Sequence, residues 1–240
     1  MFRDRSDAGE RLGAALIRHK GTRSLVLGIP RGGVAIAYEV ARAIASTFSI
    51  LVVRKLPFPD NPEAGFGAVA EDGALYLIPG AGEEIPQSLV DLTIRQQQVE
   101  VIRRVKTLRG GQPLPDLRSR PVILVDDGIA MGSTMQAAVM CCRHLGASRV
   151  TVASPVASPS ARAELSASAD ELVVLFTPSF FRAVAEFYEQ WYDVPDGEVA
   201  DIMSDAAAAG LLATPAPRPE LWLVPRQARD PGTGHGGKGS

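Results

Sequence analysis

Short apolar runs alternate with helical stretches along most of this chain, and that alternation limits the fold more than any other feature. Residues 24–29, 48–53, 122–125, 150–153 and 172–176 are nearly continuous runs of aliphatic and β-branched residues. That is the pattern of strands covered on both faces. Residues 7–19 carry Leu12, Leu16 and Ile17 at helical spacing, and residues 33–45, 133–145 and 158–168 also read as helices. Residues 88–108 form the longest expected helix, with Leu89, Leu92, Val99, Ile102 and Val105 on one side. Two further short strands, 66–69 and 75–78, flank Glu71-Asp72-Gly73, a turn signal that predicts a hairpin. Strands alternating with helices of this length imply βαβ units and a mostly parallel sheet. Ligands of such sheets bind at the carboxyl ends of the strands.

Composition narrows the class. The 240 residues are 46% hydrophobic, enough for a sizeable core, and the formal charge of −2 provides no global field toward nucleic acid or an anionic membrane. The start, Met-Phe-Arg-Asp-Arg-Ser-Asp, is charged, and no apolar run approaches the roughly 20 residues that span a bilayer. A cytoplasmic protein is expected, with no membrane partner. Proline and glycine dominate the end of the chain, so the expected organisation is one domain, 1–212, followed by a disordered tail, 213–240, that contains an apolar island at 221–224. The only cysteines, Cys141 and Cys142, are neighbours in a helical pattern and read as small core filler. His19, His144 and His235 are scattered outside any catalytic pattern, and His144 complements a helix end.

The chemistry concentrates in Val122-Ile-Leu-Val-Asp-Asp-Gly-Ile-Ala-Met-Gly-Ser-Thr134. A buried strand ends in two carboxylates, a small-residue loop follows, and a helix starts at Ser133 or Thr134. Such a loop aims consecutive backbone N–H groups at one point beside a helix N-terminus, which is a phosphate site. Gly128 and Gly132 let the backbone close around an oxyanion. Asp126 and Asp127 are placed to reach hydroxyls or a hydrated Mg²⁺ beside it. A second candidate, Gly28-Ile-Pro-Arg-Gly-Gly33, follows the first strand, with Pro30 fixing a turn, Gly32 and Gly33 allowing close approach and Arg31 adding charge. The second strand runs out through Arg54 and Lys55 into a proline-rich stretch, 57–67, read as a long loop able to act as a lid.

The acid-pair stretch closely resembles the 5-phosphoribosyl pyrophosphate (PRPP) motif of type I phosphoribosyltransferases. The resemblance extends to about residues 2–205, through Phe2-Arg-Asp-Arg-Ser-Asp-Ala-Gly9, Asn61-Pro-Glu63 and residues 67–73. It implies a Rossmann-like fold with a mostly parallel sheet, flanking helices and a flexible lid, commonly as a homodimer. It also implies transfer of the phosphoribosyl group to a nitrogen acceptor, a nucleobase above all, with Mg²⁺ as cofactor and pyrophosphate released. Carried over, Asp126 and Asp127 take the ribose hydroxyls, Asp127 also meeting Mg²⁺ mainly through PRPP. Gly128, Ile129, Ala130, Met131, Gly132, Ser133 and Thr134 form the phosphate loop. Pro30, Arg31, Gly32 and Gly33 grip the pyrophosphate, through a strained or cis peptide in many members, and Arg54 and Lys55 neutralise it. Ala130 replaces the aspartate of hypoxanthine–guanine enzymes, which weighs against a 6-oxopurine. Met131 replaces a common threonine and removes one hydroxyl contact.

Glu63, Glu71 and Asp72 are the candidate carboxylates near an acceptor. Phe187, Tyr188, Trp191 and Tyr192 form an aromatic cluster suited to core, interface or base stacking, and Pro155, Ser158 and Pro159 border the expected acceptor pocket. Arg103, Arg104, Lys106 and Arg109 read as the solvated end of the long helix. Two rival functions share the loop: a non-catalytic PRPP-sensing regulator, with those helix charges as a nucleic-acid contact, and a phosphohydrolase. A regulator would use the arginines outside the site; a phosphohydrolase would release phosphate from simple esters without an acceptor.

Overall fold

The structure, a computed structural model, describes residues 1–217. The chain opens with helix α1 (Arg5–Ala15), followed by a short 3₁₀ turn at Ile17–His19. Strand β1 (Leu25–Gly28), helix α2 (Gly32–Ile44) and strand β2 (Thr47–Ile50) make the first βαβ unit. Strands β3 (Val53–Phe58), β4 (Asn61–Ala70) and β5 (Leu75–Leu77) come next, then the long helix α3 (Gln87–Arg109). Strand β6 (Pro121–Val125), helix α4 (Ser133–His144), strand β7 (Arg149–Val156), helix α5 (Pro159–Ser168) and strand β8 (Glu171–Phe176) continue the alternation, and helix α6 (Asp196–Ala208) follows.

Five strands form one parallel sheet in the order β2-β1-β6-β7-β8. The chain therefore builds outward in one direction from β1 and in the other from β6, so the strand order reverses between these neighbours. Such a reversal is the place at which open α/β sheets bind ligands, outside the carboxyl ends of the strands. The central strands are covered on both sides. Val26 faces a core with Leu12, Ile36, Val40 and Phe48, whereas Leu25 and Leu27 face a second core with Met135, Val139 and Cys141. Alternation on a pleated strand divides its side chains between the two layers, and burial of both makes the run apolar throughout. Helix α1 lies close on α2 because a Cβ at Gly9 would stand 2.7 Å from Glu39 Cβ, and one at Gly13 would stand 2.6 Å from Ala43 Cβ.

The segment expected as a long lid loop is instead a β-hairpin. After Ile50 the chain leaves the parallel sheet, and β3, β4 and β5 form a separate antiparallel sheet. The ladder slips on either side of Pro57, where a missing backbone N–H interrupts pairing without ending the strand. The expected second strand, 48–53, is thus split between β2 and β3, with Leu51 and Val52 at the crossing. The β4–β5 hairpin agrees with its turn signal.

Helix α3 presents a different face from the one picked out by sequence. Val90, Val101 and Leu108 are buried, with Ile94 and Val105 packed beside them, while Leu89, Leu92, Val99 and Ile102 are exposed, Val99 by 66%. The buried set runs at steps of 4, 7, 4 and 3 along the helix and keeps to one stripe; of the expected set, only Val105 belongs to it. Helix α6 had no counterpart in the sequence pattern. After it, Leu212 bridges to Phe48, the Ala213 N–H donates to the Phe48 carbonyl, and the Ala216 N–H donates to that of Leu114, which ties the chain to the body as far as residue 216. The island at 221–224 and the rest of the expected tail fall outside the described residues.

Candidate functional site

Asp126 and Asp127 follow the last residue of β6, and Arg31 to Gly33 follow β1, its hydrogen-bonded neighbour. The two loops meet closely. A Cβ on Gly32 would lie 1.7 Å from Asp127 Oδ2, and one on Gly33 would lie 2.7 Å from the Val125 carbonyl and 2.8 Å from Asp126 Cα. Glycine at both positions is what allows this contact. The Pro30–Arg31 peptide is cis. Arg31 Nη1 stands 3.7 Å from Asp196 Oδ1 at the start of α6, both side chains partly exposed.

The loop after the acids is braced from the next strand. Ile129 donates its N–H to Val156, Ser158 donates its N–H to Ile129, and Ser158 Oγ donates to the Ala130 carbonyl at 2.6 Å. Ser158 also accepts from the Ala161 N–H at the start of α5. Ser158, expected to border an acceptor pocket, thus ties the loop after the acids to the start of α5. Gly132 has φ +79°, and its carbonyl accepts from Gln136 in the first turn of α4. No side chain caps α4. Its first N–H groups therefore face the loop opening with the positive end of the helix dipole behind them. Met131 is 52% exposed at the loop tip, so its side chain points to solvent and the cradle is backbone. Gly128 is closed over by Val184, whose Cγ1 would stand 2.3 Å from an added Cβ.

The acid pair is held under electrostatic stress. Asp126 Oδ1 accepts from the Asp127 N–H at 2.9 Å. Burial, then the charge of Asp127, pushes the Asp126 carboxyl well above the usual range. Burial raises Asp127 as well, against the pull of Arg5, whose Nε donates to Asp127 Oδ2 at 2.9 Å. Two partly buried carboxylates side by side at a strand end, both raised by burial, mark a candidate site. The Tyr188 hydroxyl donates to the Asp127 carbonyl at 2.6 Å, and burial, then the Asp127 charge, drives its own pKa upward.

Arg54 lies beside α3. Its Nε donates to Gln97 Oε1 at 3.2 Å, and its pKa is lowered by burial and by the charges of Arg104, Arg103 and Arg31, with Glu100 acting oppositely. Glu100 binds both Arg103, at 2.7 Å, and Arg104, at 2.9 Å, which hold its carboxyl down at about 2. Of the α3 charges expected as a solvated helix end, Arg103 and Lys106 are exposed, Arg104 pairs with Glu100, and the Arg109 side chain is buried. Lys55 Nζ donates to the Glu63 carbonyl across the hairpin at 2.5 Å.

Two of the candidate acceptor carboxylates lie elsewhere. Glu71 is buried against Arg109, with Oε2 and Nη2 3.0 Å apart. Asp72 faces His144 at 3.2 Å, at the far end of α4 from the loop after the acids, a separation of about 17 Å at 1.5 Å per residue. Both are structural, and so is Arg109, whose side chain is only 6% exposed. Cys141 and Cys142 are buried with thiols raised by burial, as expected of core filler. The aromatic residues divide: Phe187 packs on Phe176 and Phe181, while Tyr188 and Trp191 reach the acid pair through Asp127 and Arg5. Arg5 lies in the N-terminal stretch that carries the resemblance, but its pairing with Asp127, 122 residues away, was not legible in the sequence.

A five-strand parallel sheet with its ligand loops at the reversal of strand order is a Rossmann-like α/β domain of the type I phosphoribosyltransferase kind. The chain belongs to the phosphoribosyl transferase domain family, whose model matches residues 4–190. It is 38% identical over 225 residues to a Mycobacterium tuberculosis protein, seen in strains H37Rv and CDC 1551, that is provisionally named a phosphoribosyl transferase. That alignment covers 91% of this chain and 51% of the relative, so the chain spans about half the length of the curated relatives it matches. The crystal structure of the Thermus thermophilus protein TT1426 superposes with a TM-score of 0.72 at 40% identity, covering 84% of this chain and 97% of that one.

Proposed function

We propose that this chain transfers the 5-phosphoribosyl group of PRPP to a nitrogen acceptor and releases pyrophosphate. The observation that carries the reading is the close meeting of the acid pair with the Pro30–Gly33 loop, beside the uncapped start of α4. Each suits a different part of PRPP. Asp126 and Asp127 accept hydrogen bonds from the ribose hydroxyls. The backbone from Gly128 to Ser133, with the Thr134 hydroxyl, receives the 5′-phosphate. Pro30 to Gly33, Arg31 and Arg54, with Lys55 nearby, take the pyrophosphate. The bond from the anomeric carbon to the pyrophosphate oxygen breaks, a bond to the acceptor nitrogen forms, and that nitrogen gives up its proton. Charge develops on the leaving pyrophosphate and on the ribose ring, so positioned cations and carboxylates supply the stabilisation.

The donor set fits Mg²⁺ carried by the ligand. Among the described residues no group of three or more His, Cys, Asp or Glu side chains is placed to hold a metal, and one oxygen of Asp127 is already taken by Arg5. Mg²⁺ keeps several waters and binds through one or two carboxylates plus substrate phosphates, so Asp127, with Asp126, would meet it beside PRPP. When bound it neutralises charge on the departing pyrophosphate. Of the helix charges on which the regulator reading relies, Arg109 is buried against Glu71 and Arg104 pairs with Glu100, while Arg103 and Lys106 stay exposed. Among the described residues no helix is long and apolar enough to cross a membrane.

Calorimetric titration of PRPP into the full chain, first with Mg²⁺ and then with EDTA, tests the reading. Tight binding that EDTA abolishes supports it, as does its loss in the double variant Asp126→Asn, Asp127→Asn. No binding at millimolar PRPP, or a double variant that binds as the unaltered chain does, excludes it.

A further inference from the structure

The N-terminal helix supplies a residue to the centre of this site. Arg5, the first residue of α1, is 7% exposed. Its guanidinium makes three contacts at once. Nε donates to Asp127 Oδ2 at 2.9 Å, Nη1 donates to the Tyr192 carbonyl at 3.0 Å, and the plane lies over the Trp191 ring at 4.0 Å from its centroid. A Cβ at Gly32 would stand 3.0 Å from Arg5 Nε as well as 1.7 Å from Asp127 Oδ2. The N-terminal helix, the acid loop and the Pro30–Gly33 loop therefore meet at a single point, and Arg5 is the cation there.

Burying a guanidinium is costly, and the surroundings are built to offset that cost. Asp4 caps α1 by accepting from the Asp7 N–H at 2.8 Å, which fixes the helix start. Ahead of it, Phe2 donates its N–H to Phe187, Glu189 donates to Phe2, and Gln190 donates to Arg3. These bonds tie the N-terminal arm to the segment that carries Tyr188, Trp191 and Tyr192. Trp191 holds the guanidinium plane by cation–π attraction, and a planar fork is needed to reach Asp127 and the Tyr192 carbonyl together. Tyr188 fixes the backbone of Asp127 from the other side.

We propose that Arg5 is a positioning residue of the PRPP site: clamped between Trp191 and the Tyr192 carbonyl, it holds Asp127 by Oδ2 and leaves Oδ1 turned to a ribose hydroxyl. This rests on the reading of the acid pair given above. Trp191 is then the plate that orients the cation, and neither residue touches the phosphates. The ribose contact depends on Arg5, whereas the pyrophosphate contact does not. Outer partners of metal-ligating groups are worth about 10- to 100-fold in metal affinity or activity, and by analogy a loss of that order is expected here.

The experiment measures PRPP and inorganic pyrophosphate separately, each with Mg²⁺, by calorimetry on the full chain and on Arg5→Met, Arg5→Lys and Trp191→Leu. Arg5→Met should bind PRPP about 10- to 100-fold more weakly and pyrophosphate as before, with Arg5→Lys recovering part of the loss. If Arg5→Met does not fold, Arg5→Lys and Trp191→Leu must show the same selective loss at smaller size. Unchanged PRPP affinity, or an equal loss for both ligands, overturns the role of Arg5 while leaving the site assignment standing. Absence of PRPP binding by the unaltered chain removes the site assignment and the role together.

Discussion

Gly32 shows how much of this site depends on a single missing atom. It opens α2, where alanine would ordinarily be favoured over glycine by about 1 kcal/mol. Here an added Cβ would fall 1.7 Å from Asp127 Oδ2 and 2.5 Å from its Cγ. Asp127 cannot give way freely, because Arg5 holds the same oxygen and Tyr188 holds the backbone. Gly32→Ala should therefore destabilise the chain by about 1–3 kcal/mol and weaken PRPP binding at least tenfold. Gly197, in the first turn of α6, supplies the control, since nothing lies within 4 Å of its Cβ position. Gly197→Ala should be neutral or stabilising by up to about 1 kcal/mol. Urea unfolding of both variants, with PRPP titrations alongside, decides the matter; similar stability changes at the two glycines would mean that the close approach is not what constrains Gly32.

At the scale of elements, α3 carries two apolar stripes, and only packing separates them. Val101 is 4% exposed and Val99 is 66% exposed, two residues apart on one helix. Val101→Ala should cost about 1–3 kcal/mol through lost burial and a residual cavity, and Val99→Ala should stay within about 0.5 kcal/mol. Equal losses in thermal or urea unfolding would show that the exposed stripe is covered in solution. The same helix marks where sequence reading stops. The parallel strands, α2, α4 and the acid-pair loop were legible because burial on both faces makes strands uniformly apolar, and because Asp-Asp after such a run is costly without a ligand. The β3–β4 hairpin was hidden, since Pro57, Pro59 and Pro62 read as a loop although an irregular ladder tolerates them. Helix α6 was hidden by a short amphipathic stretch beside Pro195. The contact of Arg5 with Asp127 joins positions 122 residues apart, and no spacing rule reaches that far.

For the whole molecule, the question is what joins the hairpin sheet, which carries Arg54 and Lys55, to the parallel sheet. Arg109, the last residue of α3, is placed to do so. Its Nη1 donates to the Ile50 carbonyl at the end of β2, at 2.7 Å, and the guanidinium pairs with Glu71 just beyond β4, at 3.0 Å. Both side chains are nearly inaccessible, so removing one leaves the other charged and buried. Arg109→Met should cost about 3–5 kcal/mol, whereas the double variant Arg109→Met, Glu71→Leu should recover much of that loss, since no lone charge remains. The pH dependence has a definite sign. Burial raises the Glu71 carboxyl above its ordinary value, against the pull of Arg109. Removing Arg109 lifts it further, so the penalty for keeping Glu71 ionised grows as pH rises through its folded pKa and fades as pH falls toward the ordinary carboxylate range. The deficit of Arg109→Met should therefore be larger at pH 8 than at pH 5, and the double variant should lack that dependence. Urea unfolding of the three chains at both pH values checks it. A deficit that is the same at both, or one that persists in full in the double variant, would mean that Arg109 acts through the Ile50 carbonyl and α3 packing and not through Glu71.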